Sequence, residues 1–104
     1  MSSHRLTVGR SVIAELVRLA AFEVPGVARV GRGGGPIRRY LGGSSVSVQV
    51  RNDRVLVRLW IVARPGQPLG PIAGQVRGAV AATVERLLGL DLGAVTVMVD
   101  GVGG

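Results

Sequence analysis

Few side chains in this sequence are equipped for proton transfer or nucleophilic attack, and they are scattered. The carboxylates are Glu15, Glu23, Asp53, Glu85, Asp91 and Asp100, and no two fall at a spacing that pairs them for acid–base work. His4 is the one histidine, placed in the N-terminal tail, and neither cysteine nor lysine occurs. Ser44, Ser45 and Ser47 therefore have no candidate histidine base, and no amine is present for a Schiff base. Without cysteine there is neither a disulfide framework nor a thiolate metal site. The glycines of residues 31–43 are not followed by the lysine of a phosphate-binding loop. No set of catalytic roles can be assembled, so the sequence predicts a protein without enzymatic activity, cofactor or metal.

What remains is binding chemistry. The basic residues number 13, all arginine, and the formal net charge is +7. That charge favours anionic partners: nucleic acid, a negative membrane surface or an acidic protein. One candidate is the run "GRGGGPIRRYLGGSS", residues 31–45, with Arg29 just before it. Arg29, Arg32, Arg38 and Arg39 form an expected anion-binding loop, and Tyr40 is placed to stack a base. The bland alternative is a solvated flexible loop, and Phe22, Tyr40 and Trp60 are too dispersed for a nucleic-acid platform. The second candidate lies in "VLVRLWIVA", residues 55–63. There Val55, Val57, Leu59 and Ile61 alternate with Leu56, Arg58, Trp60 and Val62, so both faces of the strand are largely apolar. If helices cover one set, the other offers a partner-binding face of Leu56, Arg58, Trp60 and Val62, joined by Thr96 and Met98.

These residues need elements to hold them. Arg5–Val8 reads as a short first strand. Ser11 is the expected N-cap of a helix whose stripe is Ile13, Leu16, Val17 and Ala20, widened by Val12 and Leu19. Pro25 ends that helix and Gly26 permits the reversal into a strand over Val27–Val30. "VSVQV" at 46–50 turns through Asn52 and Asp53 into the strand at 55–63, a hairpin. A second helix is predicted from about Pro71 to Leu88, with Gly89 past its end and a stripe of Ile72, Val76, Val80, Val84 and Leu87. Gly70, Gly74, Gly78 and Ala82 are expected to let it sit close to its neighbour. "AVTVMVDGV" closes the chain as a strand parallel to 55–63, reached by a right-handed crossover. The fold class is α+β: a two-layer sandwich with two helices on one face of a small mixed sheet, one domain over residues 1–104. No signal peptide is visible, and no apolar run is long enough to span a membrane.

Three separated pieces carry a family resemblance: "SVIAELVRLAAFEVPGV" at 11–27, "VLVRLWIVARPGQPLGPIAGQV" at 55–76 and "TVERLLGLDLGAVTVMVDGV" at 83–102. In order and spacing the chain resembles the alkaline shock protein family, small bacterial cell-envelope stress proteins. The resemblance implies a non-enzymatic, cytoplasmic protein, peripheral at the inner face of the membrane. It implies self-association and docking on a protein partner, membrane-anchored in some relatives; others are linked to control of fatty-acid synthesis. The chain departs from the family in its Gly- and Arg-rich loop, in Thr96 where asparagine is common, and in stopping at "GVGG". The expected function is therefore a protein-interaction or scaffold module of the envelope stress response. The alternative is an anion-binding module for RNA, DNA or acidic lipid, working through the arginine loop.

Overall fold

The computed structural model describes residues 9–31 and 45–103. The expected strand Arg5–Val8 and most of the arginine loop (Arg32, Arg38, Arg39 and Tyr40) lie outside the described residues. Helix α1 spans Arg10–Phe22 and buries Ile13, Val17 and Ala21. Val12 and Leu19, expected to widen the stripe, are 51% and 44% exposed. Ser11 is not the N-cap. Gly9 holds that position in extended conformation, and its carbonyl accepts from Val12 and Ile13 at 3.1 and 3.2 Å. A cap needs non-helical backbone, and Ser11 is already inside the first turn.

The helix ends as the sequence predicts. Gly26 has φ of 96°, and its carbonyl accepts from the Arg64 amide at 2.7 Å. This ties the reversal to the end of the central strand. Strand β1 is Val27–Val30, β2 is Val46–Arg51, β3 is Arg54–Ala63 and β4 is Asp91–Val102. β2 and β3 form the hairpin, turning through Asn52 and Asp53 at φ of 51° and 62°. Both angles are positive, as a tight two-residue hairpin turn requires.

Every other strand pairs with β3. β4 runs parallel along one edge, Arg54↔Asp91 to Ala63↔Val102. Along the other edge, β2 pairs antiparallel with Arg54–Leu59 and β1 with Ile61–Ala63. β1 and β2 thus lie end to end in one lane. At their junction the Gly31 amide donates to the Trp60 carbonyl (2.8 Å), and the Trp60 amide donates to the Ser45 carbonyl (3.0 Å). Gly31 and Ser45 therefore meet at one residue of β3.

Helix α2 covers Leu69–Ala82 and widens into a π turn over Thr83–Leu87. It begins before Pro71, whose missing amide falls in the first turn, where no intrahelical acceptor exists. Ile72, Val76, Val80 and Val84 are buried as expected, but Leu87 is 68% exposed. A four-residue repeat drifts about 40° per step on a straight α-helix. The wider turn absorbs part of that drift, so Leu88, not Leu87, packs against the core. Gly70, Gly74 and Gly78 are exposed: a Cβ would meet nothing within 4 Å at Gly70 and Gly78, and only Arg77 at Gly74. The three glycines therefore face solvent and make no close helix contact, and only Ala82 of the series is half-buried.

Both helices lie on one face of the mixed sheet, giving the α+β sandwich. Their apolar stripes meet Val46, Val48, Val55, Val57, Leu59 and Ile61, with Val95, Val97 and Val99 at the margin. Val50, at the hairpin end, escapes this cover and is 54% exposed.

Candidate functional site

The register of the sheet arranges its uncovered face into transverse rows. Adjacent Cα partners point to the same side, and side chains alternate along each strand. From the hairpin end the rows read Arg51, Arg54, Asp91; then Gln49, Leu56, Ala94; then Ser47, Arg58, Thr96. Next come Trp60 with Met98, and then Arg29 with Val62. Apolar rows therefore alternate with rows that carry arginine.

The middle of this face is a shallow depression of about 360 Å³ lined by Ser47, Gln49, Leu56, Val57, Arg58, Ala94 and Thr96. The Arg58 guanidinium is exposed, with a hydroxyl-bearing side chain abreast of it on each neighbouring strand. Leu56 fits its floor because β4 bulges at Gly93; a Cβ there would stand 2.7 Å from Leu56 Cδ2. Arg51, Arg54 and Arg58 have no carboxylate within ion-pair distance among the described residues. Their charges point outward, and the one carboxylate in these rows is Asp91, abreast of Arg54.

The expected partner-binding residues are mostly brought together. Leu56, Trp60 and Met98 are half-buried on this face, and Arg58 is exposed between them. Val62 is a correction: it is 2% exposed and offers no contact surface. β1 flanks it through Arg29, and beyond Gly101 the chain folds in so that the Gly103 amide donates to the Ala63 carbonyl at 2.8 Å. A Cβ on Gly103 would lie 3.8 Å from Val62 Cγ1. Of the expected anion-binding loop only Arg29 is described. It is half-buried, and its Nε is buried without a hydrogen-bond partner. Sequence spacing alone does not single out Ser47, Gln49, Arg51 and Arg54. The signal that finds them is the alternation that turns Val46 and Val48 inward on β2, and Val55 and Val57 inward on β3, since it turns these residues outward.

A second depression of about 360 Å³ runs between α1 and β2, past Arg10, Glu15, Arg18 and Ser45. Its Glu15 and Arg18 charges are already engaged: Arg18 Nε donates to Glu15 Oε1 at 3.2 Å, and the guanidinium also reaches Oε2. That hydrogen bonding holds the Glu15 carboxyl below the usual range and raises Arg18. Among the described residues no three of His, Cys, Asp or Glu converge on a point that would hold a metal.

A model of the alkaline shock protein family, described as having a cell envelope-related function, matches residues 1–103. No curated protein matches the sequence. Among solved structures the chain is similar to the copper form of MamM CTD, at 16% identity and TM-score 0.65, over 88% of this chain and 85% of that one. A MamM CTD variant in its manganese form is 17% identical at TM-score 0.64, over 89% of this chain and 99% of that one. These likenesses show the α+β fold.

Proposed function

Since the chain belongs to the alkaline shock protein family, of cell envelope-related function, we propose that it is a non-enzymatic protein-interaction module of the envelope stress response. It works at the cytoplasmic face of the membrane and binds a protein partner through the open sheet face. One observation carries this reading: a face whose apolar rows, Leu56–Ala94 and Trp60–Met98, lie between arginines with no carboxylate partner among the described residues. Aromatic and arginine side chains grouped in this way are the usual anchors of protein interfaces. No described helix is long and apolar enough to cross a membrane; in this reading the partner carries the envelope association. The metal forms belong to the MamM domains, and this chain has no matching donor cluster among its described residues.

Site-specific photo-cross-linking in cells tests the reading. A cross-linker at Met98 should capture a protein in the membrane fraction, one at solvent-facing Gly78 should not, and Trp60→Ala should abolish the adduct while the circular dichroism is unchanged. Equal capture from both positions, or none from Met98, refutes it. The RNA, DNA or acidic-lipid alternative rests, among described residues, on Arg29 alone. It requires binding that weakens steeply as salt rises.

A further inference from the structure

Building on the interaction reading, we propose that the open face receives an acidic amphipathic helix of the partner protein. One carboxylate of that helix seats in the Ser47–Arg58–Thr96 depression.

Charge selects the occupant. Arg51, Arg54 and Arg58 stand on this face without an ion pair among the described residues; Asp91 lies abreast of Arg54, but the depression around Arg58 is lined by neutral groups alone. A carboxylate over Arg58 meets a planar fork of donors, with the Ser47 and Thr96 hydroxyls abreast of it and the Gln49 amide one row away. A second copy is the poorer occupant of the depression, because two such faces centred on it would set Arg58 against Arg58. The chain's own segment 32–44 carries Arg32, Arg38 and Arg39 and no acid, so it has the same sign as the face.

Shape selects a helix. Three lanes of strand, about 4.8 Å apart, make a face about 14 Å wide with its side chains. A helix with its side chains is about 10–12 Å across, so one helix fills the face. The opposite face already carries a helix layer, and a sheet with apolar rows on both sides is completed by a helix on each. Rows repeat every two residues, about 6.6 Å, so Arg54 and Arg58 lie about 13 Å apart. Carboxylates two turns apart on a helix, about 11 Å, come within reach of both guanidinium groups. Apolar residues between those carboxylates fall over Leu56 and toward Met98.

The test uses the full chain and its single tryptophan, Trp60, as reporter. Three probes are titrated: a helical peptide of about 18 residues with a leucine stripe and glutamates two turns apart, the same peptide with lysine for glutamate, and phosphatidylglycerol vesicles. The glutamate peptide should shift Trp60 emission saturably, and the lysine peptide should not. Arg58→Glu should weaken the glutamate peptide at least about tenfold and bind the lysine peptide instead. Arg54→Glu, at the exposed hairpin end, gives the same reversal in smaller degree and serves if the first variant misfolds. Equal response to both peptides, unchanged preference in both variants, or response to vesicles alone overturns the proposal. Cross-linking from Met98 separates the two levels. If protein adducts persist in cells while the peptides fail, the acidic-helix occupant falls and the interaction reading stands. If both fail, both fall.

Discussion

Replacing Gly26 with alanine should destabilise the fold by roughly 2–4 kcal/mol, a sum of a backbone and a packing contribution. At φ of 96° any L side chain is strained, which costs about 1–2 kcal/mol. The new Cβ would also stand 2.9 Å from Ile72 Cδ1 and 3.1 Å from its Cγ1. Cδ1 is the movable end of Ile72, but the residue is 2% exposed and cannot swing into solvent. Overpacking of this kind adds about 1–2 kcal/mol. Gly66 separates the two contributions: its φ is 79°, but nothing lies within 4 Å of a Cβ there. Thermal unfolding followed by circular dichroism should show a loss of roughly 10–20 °C for Gly26→Ala and about half that for Gly66→Ala. Equal losses would refute the close packing of the reversal at Gly26 against Ile72 at the start of α2.

Val84→Ala should cost about 2 kcal/mol through lost burial and a residual cavity, whereas Leu87→Ala should change stability by less than about 0.5 kcal/mol; the reverse order in urea unfolding would place the π turn wrongly. The Glu15–Arg18 pair holds the Glu15 carboxyl below the usual range, so its contribution is present at neutral pH and lost as pH falls through that depressed value. Stability of the parent relative to Glu15→Gln should therefore be constant across neutral pH and vanish in acid, with only a small difference because both groups are exposed. Because Gly31 and Ser45 already meet on Trp60, replacing residues 32–44 with a four-residue turn shortens a closed loop and should stabilise the fold by about 1 kcal/mol. A marked loss in denaturant unfolding would show that the segment contributes packing.

Much of the fold could be read from alternation and punctuation. Val46 and Val48 against Ser47 and Gln49, with Asn52 and Asp53 between the strands, state the hairpin and its register together, because a slip of one residue would turn every valine outward. Pro25 and Gly26 state the end of α1 in the same local way. The failures have non-local causes. Ser11 has a capping side chain, but where a helix begins depends on which carbonyl the first amides reach. Leu87 fits a regular stripe, and only packing against the sheet reveals that the turn has widened. Val62 sits in the right alternation for the open face, yet the folded-in end of β4 and the lane of β1 cover it. That β1 and β2 share one lane is a matter of register against β3, which no local pattern encodes.

The size of the open face limits how tightly one helix can bind it. From Arg54 to Val62 the strand rises about 27 Å, and at about 14 Å wide the face offers on the order of 380 Å². A helix laid on it buries about twice that in total, well below the roughly 1,200 Å² of a stable standard interface. Apolar contact over Leu56, Trp60 and Met98 and one carboxylate on Arg58 therefore give a transient contact in isolation. On the proposed reading, binding in a cell draws on multiplicity, with several chains meeting several helices held on one surface, so that each contact raises the effective concentration of the next. A free acidic helix should bind with a Kd of roughly tens of micromolar or weaker. The same helix displayed densely on a neutral vesicle, titrated with cross-linked dimers of the chain, should bind at least about 100-fold more tightly. If display adds nothing, the face acts singly, and the small area of its contact would leave envelope association without a physical basis.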